Sequence, residues 1–233
     1  MAEFHKLIAN VREALEHQVA APAHNGEAAS AEAVPTAQAA RRVELASQFA
    51  RELQAVGGHF LGTPTPKETI ACVLEVATAL NARSVAVGAG IFIDPAPIVD
   101  ALERAGIEVF RTAPVADDAA RAVLRQTLAQ CDFALVEADY AIAATGTLAM
   151  LATPERPSSL TLVPPVNVIL VSIERILTDL AAAIAAIGAE AIASHRLALV
   201  TGPSRTADIE KRIVLGVHGP RELHVAAVWQ GND

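Results

Sequence analysis

Apolar positions along the chain change period several times. Residues 1–18 place Phe4, Leu7, Ile8, Val11 and Leu15 at helical spacing. Residues 19–36 are small, Pro/Gly-bearing and aperiodic, which predicts a linker. Val43, Ala46, Phe49, Leu53 and Val56 then recur every three or four residues, and Gly57-Gly58 ends that helix. A second helix is predicted over 66–80, with Ile70, Val73, Leu74, Ala77 and Leu80 on one face. Short apolar runs at 84–87, 107–111, 132–136, 196–200 and 223–229 read as buried strands. Helices are expected between them: one opened by Asp94-Pro95 and closed by Gly106, one from Asp117-Asp118 to Gln130, and one over 173–187. A short helix is expected from Ser204 to about Leu215. Residues 160–171 look strand-like but are broken by Pro164-Pro165, and 140–152 fit no single period.

Strands alternating with helices predict an α/β domain with helices on both faces of a mainly parallel sheet, an α/β/α three-layer arrangement. The runs 84–87, 132–136 and 196–200 are expected to share that sheet. We divide the chain into residues 1–38, an N-terminal helix and linker, and residues 39–233, the α/β domain.

Composition narrows the function. With 18 Lys+Arg against 26 Asp+Glu the net charge is −8, which gives no electrostatic footprint for nucleic acid or an anionic membrane. The uncharged stretches 140–154 and 160–173 fall short of the roughly 20 residues that span a bilayer. The N-terminus lacks the basic and apolar regions of a signal peptide. Two cysteines, Cys72 and Cys131, are far apart and form no metal or cluster motif. No metal site is expected, and His195 and His224, which flank or lie within strands, are expected to be structural or exposed.

In open α/β sheets ligands sit outside the carboxyl ends of the strands. The turn Gly88-Ala89-Gly90 follows one strand, but Ile93 stands where a dinucleotide fingerprint needs its third glycine. After strand 132–136 come Glu137 and Asp139, then Thr145-Gly146-Thr147. Carboxylates there can act as acid, base or nucleophile, and a Thr-Gly-Thr backbone can approach an anion; the same residues also fit a capped turn. Gly202, Ser204, Arg205, Thr206 and Asp208 follow strand 196–200, where a helix N-terminus and an arginine could hold a carboxylate or phosphate, or Asp208 and Glu210 could simply complement the helix dipole. His218 lies between two glycines in a loop. All are expected to converge on one pocket, with Glu137, Asp139 and His218 as catalytic candidates and Thr145, Gly146, Thr147, Gly202, Ser204, Arg205, Thr206 and Asp208 as ligand-binding ones.

Taken together, the strings Glu137-Ala-Asp-Tyr-Ala-Ile-Ala-Ala-Thr-Gly-Thr-Leu, Ser172-Ile-Glu-Arg-Ile, Thr201-Gly-Pro-Ser-Arg-Thr-Ala-Asp-Ile-Glu and Gly216-Val-His-Gly-Pro resemble the LUD-domain family over about residues 40–230. The branch it most resembles is the lactate-utilization protein C, or YkgG, type. The resemblance implies a fold like glucosamine-6-phosphate deaminase, ribose-5-phosphate isomerase and the CoA transferases (NagB/RpiA/CoA transferase-like). It implies a cytoplasmic subunit of a system that oxidises L-lactate to pyruvate, binding a small carboxylate or a partner protein. Iron–sulfur clusters are then expected on partner proteins, with no cofactor in this chain. A small-molecule enzyme of the isomerase/CoA-transferase type is the alternative.

Overall fold

The computed structural model describes residues 33–194, 196–207, 213–215 and 219–230. The expected helix over 1–18 lies outside them, as do Asp208, Glu210, His218 and His195.

Helix α1 (Ala33–Ala55) already includes residues 33–36 of the expected linker. It buries Phe49 and Leu53, and Gly57 follows it at φ +86°. Strand β1 (His59–Phe60) leads to α2 (Pro66–Ala79), which is fixed at its start by reciprocal bonds: Thr65 accepts from the Glu68 N–H while the Glu68 carboxylate accepts from the Thr65 N–H. Then follow β2 (Ser84–Val87), α3 (Ala96–Arg104), β3 (Glu108–Arg111), α4 (Asp118–Gln130, capped by Asp117) and β4 (Phe133–Glu137). Residues 140–152 resolve into a hairpin, β5 (Tyr140–Ile142) and β6 (Thr147–Ala152). Next come α5 (Ser159–Leu162), β7 (Val166–Ser172), a 3-10 turn (Ile173–Arg175), β8 (Ile176–Leu177), α6 (Leu180–Ile187) and α7 (Ala189–Ser194). Strands β9 (Arg196–Thr201), β10 (Arg205–Ala207), β11 (Ile213–Leu215) and β12 (Glu222–Val228) end the order.

Six strands form the central sheet in the order β1-β12-β7-β4-β2-β3, and every pairing is parallel. Alternate residues feed two cores. Val85, Phe133, Leu135, Val168 and Leu170 pack with Val73, Ile98 and Leu102 from α2 and α3. Val136, Ile169, Val171 and Val225 face Phe49, Leu53, Leu128 and Leu160 from α1, α4 and α5. A second sheet, β8-β5-β6-β9, adds Ala141, Leu148, Met150 and Ile176 to that second core. The mainly parallel α/β architecture therefore holds, as expected.

Four local expectations are corrected. Strand 196–201 belongs to the second sheet, antiparallel to β6 with Thr147 opposite Thr201, because a short apolar run carries no record of its partner. The helix expected over 173–187 begins only at Leu180: Ser172 accepts from the Glu174 N–H to close a turn, Ile176 and Leu177 pair with β5, and Asp179 caps the helix proper. The stretch from Ser204 towards Leu215 is no helix where it is described; residues 205–207 pair antiparallel with 213–215. The stretch 160–171 breaks at Pro164-Pro165 as expected, since proline cannot donate to a ladder, but its first part is helix α5 and only the second is strand, β7. No helix among the described residues is long and apolar enough to cross a membrane.

Candidate functional site

From β2 the chain crosses to β3 on one side, and β4 then pairs on the other. That reversal opens the position outside the carboxyl ends of β2 and β4 where such sheets place ligands. Glu137 ends β4 there, buried, and the loop after β2 folds over it. Its carboxylate accepts N–H bonds from Ile91 (2.6 Å), Phe92 (2.7 Å) and Ile93 (3.3 Å). Such a nest needs close backbone: a Cβ on Gly90 would lie 2.4 Å from the Ile93 carbonyl oxygen. Burial outweighs these donors and the nearby Arg156 charge, and it holds the Glu137 carboxyl above its ordinary range. The cleft beside it, lined by Gly88, Pro95, Ile98 and Leu170, holds about 10 Å³, room for one water at most. Gln230, just past β12, donates to the Phe92 carbonyl (2.8 Å) and accepts from the Ser172 hydroxyl (3.3 Å), which locks the loop to β7 and β12.

Asp139, two residues beyond Glu137, turns to other partners. It accepts from the Leu151 N–H (2.7 Å) and forms a largely buried ion pair with Arg156 (3.2 Å). Arg175 donates to the Asp139 carbonyl and lies over the Tyr140 ring, 5.7 Å from its centroid.

The other expected residues gather elsewhere. The hydroxyls of Thr145 and Thr147 are 2.8 Å apart, and Thr147 and Thr201 are 2.7 Å apart, forming a hydrogen-bonded chain between β6 and β9. Gly146, at φ +61°, lies against the backbone of α1, and Gly202, at φ +72°, against Val56. Ser204 donates its N–H to the Pro220 carbonyl (2.8 Å). Thr161, Leu162, Thr201, Gly202, Ser204 and Gly219 line a cavity of about 380 Å³ at the amino end of β7 and β12. Arg205 and Thr206 enter β10 beside it, opposite Leu215 and Val214. Asp208 and His218 lie outside the described residues.

Two groups thus form at opposite ends of the sheet. Glu137 pairs with Leu170 on β7, whereas the Pro165 carbonyl binds the N–H of Arg221, next to the cavity. Five residues of strand separate those points, about 16 Å at 3.3 Å per residue. Sequence reasoning found Glu137 but missed the Ile91–Ile93 amides, Ser172, Arg156 and Gln230. Gly88-Ala89-Gly90 was the one signal for the loop, and nothing local marked Gln230.

The LUD domain family model matches residues 46–228, a span holding Glu137 with its loop donors and the Gly202–Ser204 cavity. This chain belongs to the LUD domain family. A lactate utilization protein C from Deinococcus radiodurans is 32% identical over 149 residues, 64% of each chain. An uncharacterized protein of Neisseria meningitidis is 36% identical over 94 residues, and a lactate utilization protein C of Halalkalibacterium halodurans 30% over 95; these cover 39% of this chain and 40% and 41% of the relatives. The matched segments thus span between two fifths and two thirds of the relatives' own lengths. A crystal structure of a DUF162 family protein from Deinococcus radiodurans superposes with a TM-score of 0.58 at 22% identity, over 80% of this chain and 98% of that one. That likeness carries the fold. In this LUD domain the Glu137 carboxylate holds the Gly88–Ile93 loop, and the expected residues Gly202 and Ser204 line a cavity of about 380 Å³.

Proposed function

We propose that this protein serves L-lactate utilization as a subunit that binds a small carboxylate, with the electron-carrying iron–sulfur clusters on partner proteins. The observation that carries the reading is the LUD match over 46–228 together with relatives named lactate utilization protein C. The cavity beside Gly202 and Ser204, at about 380 Å³, is ample for a three-carbon acid. Thr201 and Ser204 supply hydroxyls at its wall, and Arg205 follows directly as the cation for the carboxylate. The chain's own thiols are poor cluster ligands. Cys131 is buried and donates to the Thr127 carbonyl, burial pushes its thiol up to about 11, and Cys72 stands apart on α2. In this reading, electrons leaving lactate pass to a partner.

The test is genetic and biochemical. Deleting the gene from its native host abolishes growth on L-lactate as sole carbon source, and the wild-type gene restores it. Complementation with Arg205→Ala restores it poorly. The tagged protein co-purifies, under anaerobic conditions, with iron–sulfur proteins and lactate-dependent dye reduction. Normal growth of a deletion strain without a second gene copy overturns the reading; full rescue by Arg205→Ala removes the carboxylate role of that residue alone.

A further inference from the structure

At the amino end of β12, on the face that packs α2 and α3, lies a cluster with no part in either group above. His59 of β1 and His224 of β12 are direct partners across the parallel ladder. Their rings stack at 4.8 Å between centroids, 21° from parallel. Glu222 precedes His224 by two residues, so the strand alternation puts it on the same face. Its carboxylate lies 3.1 Å from His224 Nε2. One donor atom from each of the three residues lies within 4.8 Å of the others.

We propose that His59, Glu222 and His224 bind a divalent transition-metal ion, with Zn²⁺ the ion that suits the ligands. Two imidazoles and one carboxylate are a borderline-soft set that favours Zn²⁺ over Ca²⁺ or Mg²⁺. The spacing is close to what binding needs. Ligands at 2.0–2.2 Å in tetrahedral geometry stand about 3.4 Å apart, so the widest separation must close by up to about 1.4 Å. The residues that must move can do so: His59 is exposed and Glu222 is half-exposed, while His224, its side chain 15% exposed, stays as the fixed ligand. Val168, the partner of His224 on its other side, and Val166, the partner of Glu222, wall the cluster with apolar surface. That wall limits competing hydration. The ion takes the place of the hydrogen now shared by His224 and Glu222, and the exposed side at His59 leaves a fourth position to water. Among the described residues no lysine or arginine is paired with Glu222, so its charge is available to the metal. Three ligands from two strands also make the ion a clamp between β12 and its two-residue edge strand.

The experiment titrates the full chain, stripped with a chelator, with ZnCl₂ by calorimetry and with CoCl₂ by visible absorption. Seven histidines are present, so variants separate this site from the rest. Wild type takes up one Zn²⁺ at micromolar or tighter affinity, and Co²⁺ gives the intense visible bands of a tetrahedral site. His59→Ala, at an exposed position that leaves the fold intact, weakens this binding at least tenfold, as does His224→Ala if it folds. Absence of micromolar Zn²⁺ binding in wild type, or undiminished binding in His59→Ala, overturns the assignment. Lactate growth is not part of the readout, so the result stands apart from the proposed function.

Discussion

Removing the Glu137 carboxylate tests whether it anchors the loop over the carboxyl end of the sheet. In Glu137→Ala the N–H groups of Ile91, Phe92 and Ile93 lose their acceptor. An orphaned buried donor costs about 1–3 kcal/mol. The loop residues are half-buried and the third bond is long, so the low end applies to two donors and little to the third. The expected loss is about 2 kcal/mol against a total of about 5–15 kcal/mol for a domain of this size. Glu137→Gln should cost about 1 kcal/mol or less at neutral pH, because the amide oxygen still accepts and no charge is buried. The pH dependence has a definite sign. Burial raises the folded carboxyl above its ordinary 4.5, so its contribution is fully present below that value and is lost as pH rises through the folded value. The advantage of wild type over Glu137→Gln should therefore be greatest below pH 4.5 and shrink as pH rises. Urea denaturation followed by the single tryptophan, Trp229 at the end of β12, measures both. A loss under about 1 kcal/mol for Glu137→Ala, with unchanged amide exchange at residues 91–93, would refute the anchoring role.

Three further outcomes follow from geometry. Gly146→Ala should destabilise by at least about 2 kcal/mol, since its Cβ would fall 2.3 Å from the Leu53 nitrogen, whereas Gly62→Ala, with nothing within 4 Å, should cost only the backbone strain of about 1 kcal/mol; paired thermal melts separate the two. Thr147→Val and Thr201→Val should each cost about 1 kcal/mol, and the double variant less than their sum, because they share one hydroxyl bond; a double-mutant cycle measures the coupling. At pH 8 the Cys131 thiol, pushed up to about 11, should resist a disulfide reagent that modifies Cys72, and both should react in urea, as mass spectrometry of the labelled peptides will show.

The parts of the fold legible in sequence are those whose signal is local. Strands β2, β3 and β4 and helices α2 and α4 declare themselves by apolar period, and α4 also by the Asp117-Asp118 start. What stayed hidden depends on partners distant in the chain. Arg196–Thr201 reads the same in a parallel or an antiparallel sheet, and only its pairing with β6 decides. Ile176 and Leu177 fit a helical stripe, yet edge pairing with β5 claims them. In the site, Glu137 was visible as an acid at a strand end, but its donors lie 44–46 residues earlier. His224 looked like an ordinary strand residue because its neighbour His59 comes near the start of the domain.

The placement of β12 governs how this protein can be made. The strand nearest the end of the described chain sits inside the sheet, between β7 and β1, and among the described residues β1 pairs with no other strand. During synthesis β2, β3, β4 and β7 can associate in sequence, while His59–Phe60 waits for a partner not yet translated. The sheet closes only when residue 228 has left the ribosome. A nascent chain stalled before residue 222, or a truncated one, would leave the flank of β7 open along its whole length, from Val166 to Ser172, a seven-residue apolar template for another strand. Completing β12 is thus what protects the newly made protein from sticking to its neighbours.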